Sequence, residues 1–345
     1  MNHQYKNWIQ DLKKRIHLAQ IKASLAVNQE MIILYWDIGK SIAEKQNEYG
    51  WGSKVIEEMA KDLKSELPDS GGFSRSNLFA MRKFYLFYKD SELVHQLGGQ
   101  LEKDSILILI PWRHHVAILS KCSLVKEAIF YIQQTIKNNW SRNILELQLD
   151  SKLIERQGKA QNNFELTLPK PQSDLACETI KDPYKFDFLT LEANIQELHL
   201  EKHLTDNITQ FLLELGKGFA FVGRQYSLQI GSKERKIDLL FYHLKMHCYV
   251  VIDLKMGEFE PEFAGKMNYY LSAVDKLIKT EDDKPSIGII LCKSKESLEV
   301  EFALQDLSKP MGISEFTFNE LPKHVQENMP TVEELENELI NIDNE

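Results

Sequence analysis

Apolar residues recur at helical spacing through the first half of the chain and in short strand-like runs through the second. Ile21, Leu25, Ile32 and Tyr35 mark a helical stripe that continues through Ile38 and Ile42. A turn at Gly50-Trp51-Gly52 ends it, with Ser53 placed to cap a helix over Lys54 to Leu67. Pro68-Asp69-Ser70-Gly71-Gly72 breaks the pattern, and Ser74 or Ser76 caps the next helix, through Asn77 to Tyr88. Further helices are predicted over Pro111 to Leu119, Leu124 to Asn138 and Ser141 to Arg156.

Gln, Asn, Lys and Pro dominate Gln157 to Pro183, which therefore reads as a linker. Leu189 to Leu215 predicts one or two helices. Strands follow at Tyr226 to Ile230, Lys236 to Tyr242 and Cys248 to Leu254, separated by polar turns. A helix from Pro261 to about Lys276 precedes the apolar strand Ile287 to Cys292. Glu296 to Leu307 predicts a helix and Ile313 to Thr317 a last strand. Thr331 with Glu334 forms a capping box for a short acidic terminal helix. The predicted organisation is α+β: a helical domain over 1–156, a linker over 157–184, a mixed-sheet α/β sandwich over 185–322 and an acidic tail over 323–345. No internal repeat interrupts it.

A chain of 345 residues accommodates two cores. The four cysteines are far apart with no CxxC pair, which argues against a disulfide framework or structural zinc and fits a reducing cytoplasm. The N-terminus lacks a signal-peptide apolar run, and the run Ile106 to Pro111 is too short to span a bilayer. The net charge of −9 is unevenly placed: residues 1–150 carry 20 Lys/Arg against 17 Asp/Glu, and the remainder 22 against 34. Charge alone thus neither demands nor excludes a polyanionic partner.

The strongest chemical signal lies in Lys236-Ile237-Asp238-Leu239-Leu240-Phe241-Tyr242 and Tyr249-Val250-Val251-Ile252-Asp253-Leu254-Lys255. Side chains alternate along a strand, so Asp253 and Lys255 project the same way, roughly 7 Å apart. Paired as a hairpin, the strands bring Asp238 to them. Both carboxylates sit in apolar runs, where burial is unfavourable without a partner or metal. Two carboxylates suit Mg²⁺ or Mn²⁺ and an activated water, and an ammonium suits charge developing on a phosphate. An isolated Asp-x-Lys is more often a surface ion pair; the apolar setting and the element order weigh against that here. The carbonyl of Leu254 lies between the two, and Glu214, where the preceding helix ends, is the candidate fourth group. Glu258, Glu260 and Glu262 rank below it at a strand-to-helix turn.

The spacing Asp-x(14)-Asp-x-Lys on a helix–β–β–β–helix–β frame resembles the PD-(D/E)XK nuclease superfamily. The strings Phe219-Ala220-Phe221-Val222-Gly223-Arg224-Gln225, Ile237 to His243 and Gly265-Lys266-Met267-Asn268-Tyr269-Tyr270-Leu271 closely resemble the YhcG family of bacterial nucleases. Tyr35-Trp36-Asp37-Ile38-Gly39 and Phe73 to Leu78 extend the similarity to the N-terminal part. The resemblance implies a restriction-endonuclease-like C-terminal domain and an N-terminal helical domain similar to a DNA-binding winged helix-turn-helix. It implies metal ligands at Asp238 and Asp253, a catalytic lysine at Lys255, the helix glutamate at Glu214 and an orienting role for Gln225. Relatives usually carry Glu-Leu-Lys where this chain has Asp253-Leu254-Lys255; the superfamily tolerates Asp there, but it draws the carboxylate back by roughly 1.5 Å and bears on rate and metal preference.

Lys266 and Tyr269, at i and i+3 on the following helix, are placed to touch phosphate or metal-bound water, unless that helix is simply core with a solvated lysine. Arg75, Arg82 and Lys83, interleaved with Phe79 and Tyr85, form the most nucleic-acid-like stretch of the N-terminal half. Its alternative is a packed helix with solvated charges. His114 and His115 point apart on a helix and lack a third ligand, so packing is expected of them. There is no Walker A sequence, and Gly216-x-Gly218 lacks dinucleotide-fingerprint spacing. The leading function is a metal-dependent DNA endonuclease in DNA processing, recombination or mobile-element defence, acting on DNA that includes branched or single-stranded forms. Its alternatives are a catalytically weak DNA-binding or assembly protein on a nuclease scaffold, or an adaptor whose helical domain mediates homo-oligomerisation.

Overall fold

A computed structural model describes residues 3–321 apart from Ser53, 69–70, 92–100, 102–104 and Asn194. The Ser53 cap and the 323–345 tail, with its Thr331–Glu334 capping box, lie outside the described residues. The chain divides into two compact units, Met1–Ile154 and Glu155–Glu345. Among the described residues no helix is long and apolar enough to cross a membrane.

The first unit is helical: α1 (His3–Tyr49), α2 (Lys54–Glu66), α3 (Arg75–Tyr88), a 3₁₀ turn at Ile106–Leu109, α4 (Trp112–Lys121), α5 (Val125–Asn138) and α6 (Arg142–Asp150). Ser74 caps α3 by accepting the Asn77 N–H, leaving Leu78, Met81, Phe84 and Tyr88 on the buried face. Trp36 crosses edge-on to Phe84 at 5.6 Å between ring centroids. Ile32, Tyr35 and Ile42 of the predicted stripe are buried, whereas Ile21 and Leu25 are exposed. His115 is wholly buried, and its Nε2–H donates to the Leu107 carbonyl at 2.7 Å. Burial pushes its pKa down to about 4, so it packs as a neutral ring.

Gly39 has a packing reason. A Cβ there would lie 2.1 Å from the Met81 carbonyl oxygen, so α1 and α3 touch backbone to backbone. Gly39→Ala must part them. We expect a loss of about 2–3 kcal/mol in the stability of the helical unit, measured by urea denaturation followed at Trp36. An unchanged midpoint would show that the helices separate freely.

The second unit is built on one mixed sheet in the order β1-β7-β6-β5-β4-β3, with β2 also paired to β7. In chain order these are β1 (Gln161–Asn162), α7 (Gln172–Thr179), β2 (Tyr184–Leu191), α8 (Glu197–Asp206), α9 (Ile208–Leu215), β3 (Phe219–Ile230), β4 (Lys233–His243), β5 (Cys248–Glu258), α10 (Pro261–Leu277), β6 (Ile287–Ser294), α11 (Ser297–Gln305) and β7 (Met311–Glu320). Strands β3, β4 and β5 form an antiparallel meander, while β5, β6 and β7 run parallel. The central strands are covered on both faces, which explains their nearly unbroken apolar sequences. Leu239, Phe241, Val250, Ile252 and Leu254 share one core with Leu200, Leu204 and Phe211 of α8 and α9. Leu240, Val251 and Ile290 share the other with Met267, Leu271 and Val274 of α10.

Two expectations need correction. Residues 157–184, read as a linker, belong to this unit: β1 pairs antiparallel with β7, and Phe164, Leu168, Ala176 and Ile180 lie in the core. Their polar neighbours and prolines masked apolar positions too widely spaced to show a period. The helical reading from Leu189 is also displaced, because β2 runs to Leu191 with Tyr184, Phe186, Leu189 and Leu191 buried. Its parallel pairing with β7 depends on a strand far along the chain.

Candidate active site

The site begins where a ladder ends. Strands β4 and β5 pair from His243↔Cys248 to Leu239↔Ile252. The next positions in that register are Asp238 and Asp253, which therefore share a face. In place of the ladder bond, the Asp238 carboxylate accepts the Leu254 N–H at 3.1 Å. Both residues are buried, at 8% and 2% exposure. Burial, and next the charge of Asp253, push the Asp238 carboxyl up to about 7, against the pull of the Leu254 amide and Lys255. Two close carboxylates with so little solvent call for a cation.

Lysines supply it. Lys255 Nζ lies 2.9 Å from Asp253 Oδ2 and donates to the Leu254 carbonyl at 2.7 Å. It also reaches Glu197 Oε2 of α8 at 3.2 Å, and the other oxygen of Glu197 accepts the Met256 N–H. Burial lowers the Lys255 pKa, but the charge and hydrogen bond of Asp253 outweigh it and leave it above the ordinary lysine value. Lys255 is thus a fixed ammonium and no proton acceptor near neutral pH. Lys266 Nζ, from α10, lies 3.0 Å from Asp253 Oδ1.

Glu201 of α8 is also buried, 2% exposed. Its carboxylate accepts from Gln225 Nε2 at 2.7 Å. Burial raises its pKa, the Gln225 bond opposes this, and the charges of Glu197 and Asp253 add to the rise. Gln225 falls opposite Asp238, between the pairs Arg224↔Leu239 and Tyr226↔Ile237, at a left-handed φ of 47°. That is an uncommon conformation for a residue with a side chain, held here beside the carboxylates.

The fold thus brings Asp238, Asp253, Lys255 and Lys266 together, with Gln225 joined through Glu201. It does not bring Glu214, and that expectation is corrected. The Glu214 carboxylate accepts from Arg156 Nη1 at 2.6 Å and the Lys185 N–H at 2.9 Å, and pairs with Lys181 at 3.5 Å. It neutralises two buried cations away from the aspartates. Glu201, one helix earlier, is the glutamate whose charge reaches the aspartates, and Glu197 was missed as well. The readable signal was their i, i+4 spacing, which puts both carboxylates on one face of α8. Tyr269 is exposed on α10, its ring centroid 6.3 Å from that of Tyr270. Glu258, Glu260 and Glu262 are exposed.

In the first unit, Arg75 pairs with Glu57 at 2.8 Å and lies over the Phe79 ring. Lys83 donates to the Leu119 carbonyl at 2.5 Å, near the end of α4. Arg82 lines an open groove with Phe79, Lys83, Leu86 and Phe87.

Hard carboxylate oxygens on a buried, like-charged pair fit a divalent cation. Among the described residues, no three His, Cys, Asp or Glu side chains converge tightly enough to hold a metal by themselves. A cation held there would draw two carboxylates from the pair, with the rest of its shell open to water, phosphate or a backbone carbonyl.

Residues 177–330 match the YhcG PDDEXK nuclease domain, and residues 11–156 match the DUF1016 N-terminal domain. The chain is 32% identical over 334 residues to the YhcG protein of Escherichia coli (strain K12), covering 87% of this chain and 88% of that one. The chain belongs to the YhcG family. The match to the YhcG PDDEXK nuclease domain falls within the second unit and includes the carboxylate pair. Among solved structures, similarity is found to a repair endonuclease from Pyrococcus abyssi, 17% identical over 37% of this chain and 49% of that one, TM-score 0.27. An EndoMS–dsDNA complex is 19% identical over 40% of this chain and 48% of that one, also at TM-score 0.27. The YhcG-family chain spans about half the length of those two structures.

Proposed function

We propose that the protein is a metal-dependent DNA endonuclease. The observation that carries this reading is the cross-strand pair Asp238–Asp253 with Lys255 on the same carboxylate. Asp238 and Asp253 would hold Mg²⁺ or Mn²⁺, which when bound supplies Lewis acidity toward water and phosphate. The chain's own residues do the rest. Lys255 keeps its proton and faces negative charge developing on the phosphate. Glu197 holds the Lys255 ammonium in place, and Gln225 fixes Glu201 toward the aspartates. Lys266 and Tyr269 lie on the helix that covers this face and would meet the DNA backbone. Arg75, Arg82 and Lys83 would add phosphate contacts from the helical unit, with Arg82 carrying most because Arg75 and Lys83 already have partners.

The test is direct. Linear, supercoiled, branched and single-stranded DNA are incubated with the protein in Mg²⁺, Mn²⁺ or EDTA. Cutting is expected with either metal and none with EDTA, lost in Asp238→Ala. Binding without cutting under every metal would favour the scaffold reading instead.

A further inference from the structure

Both oxygens of Asp253 face ammonium groups, but the two lysines are held very differently. Lys255 is 9% exposed at its side chain and is fixed by Leu254 and Glu197 as well as by Asp253. Lys266 is 41% exposed and reaches Asp253 Oδ1 from one turn inside α10. Beyond that ion pair, its ammonium lies over the Tyr270 ring at 5.3 Å. The first lysine is built in; the second is a long arm resting on the carboxylate.

We infer that Lys266 is a tethered counter-ion that occupies the cation position on Asp253 and must be displaced for a divalent metal to bind. This rests on the nuclease reading of the Asp238–Asp253 pair. A hard divalent cation would sit about 2.1 Å from a carboxylate oxygen. An ammonium 3.0 Å from that same oxygen would then stand within a few ångströms of a doubly charged ion. Like charges that close repel strongly even in a water-like dielectric. The arm swings away, and its 41% exposed side chain lets it do so without unpacking α10.

Displacement has a use. A Lys266 released from Asp253 lies beside the carboxylates at the protein surface, where a DNA phosphate can take it. DNA then draws off the competitor, so DNA and metal strengthen each other's binding, by the same factor in both directions. A metal-free protein keeps Asp253 neutralised, and the centre holds metal more tightly once substrate is bound.

Calcium is the probe, titrated calorimetrically into the full chain with and without a DNA duplex. The proteins are the unaltered chain, Lys266→Met, Lys266→Gln and Asp253→Ala. Without DNA, both Lys266 variants are expected to bind Ca²⁺ about 5- to 20-fold more tightly than the unaltered chain. The duplex should raise Ca²⁺ affinity in the unaltered chain and much less in the variants. Equal or weaker DNA-free affinity in both variants, with binding still abolished by Asp253→Ala, would overturn this inference and leave the metal centre standing. Binding that is indifferent to Asp253→Ala would overturn the metal centre, and this inference with it.

Discussion

Lys255→Met is expected to slow metal-supported DNA cleavage by about 10²–10³-fold, with DNA affinity little changed. The variant removes an ammonium 2.9 Å from Asp253 and leaves the apolar stem in its slot. Lys255 has no exposed arm with which to hold DNA, so its contribution should appear in the rate of the bound complex. Metal is kept saturating, because the variant also lifts a positive charge from the Asp253 carboxylate. Lys255→Arg should recover only part of the rate, since a planar fork does not reproduce a point charge between Leu254, Glu197 and Asp253. Single-turnover rates at saturating protein and Mg²⁺ make the measurement. Cleavage by Lys255→Met at the unaltered rate would remove Lys255 from the chemistry.

The reach of the sequence ends where long-range packing begins. Asp238, Asp253 and Lys255 were readable because strand alternation is local and the hairpin joining β4 to β5 is short. Their shared face follows from counting. Glu214 was misplaced because the end of the helix nearest β3 looked like the approach to the strands. Its true partners, Arg156 and Lys181, flank a segment whose prolines read as linker. A buried glutamate between two buried cations cannot be seen without knowing that those cations fold back onto it. Glu197 and Glu201 carried the i, i+4 signal, but α8 gave no local sign of which face would meet β5. Lys266 was read as a contact to phosphate or metal-bound water; its ion pair with Asp253 depends on the crossover that lays α10 over the sheet.

Asp238→Asn is expected to stabilise the metal-free protein above pH 7, by about 2–4 kcal/mol. The Asp238 carboxyl titrates at about 7 in the fold, because it is buried beside Asp253 and, further off, Glu201, with Lys255 and the Leu254 amide opposing. In the unfolded chain it titrates near ~3.9. A group whose pKa is raised on folding binds its proton more tightly in the native state. Its favourable contribution is therefore complete below about pH 4 and is lost as pH rises through about 7. At pH 8 in EDTA the unaltered chain must hold two buried carboxylates ionised side by side. Asparagine keeps the Leu254 N–H bond through its amide oxygen and removes one of those charges. The gain should nearly vanish by pH 4, where Asp238 is protonated in the fold and about half protonated in the unfolded chain. Mg²⁺ should close the gap at pH 8 by stabilising the unaltered chain and not the variant, because only the former retains both ligands. Urea denaturation of both proteins at pH 4, 6 and 8, with EDTA or Mg²⁺, reads all of this. An Asp238→Asn protein less stable than the parent at pH 8 in EDTA would mean that the two aspartates do not repel, and that the pair is held by its lysines as a closed ion-pair network.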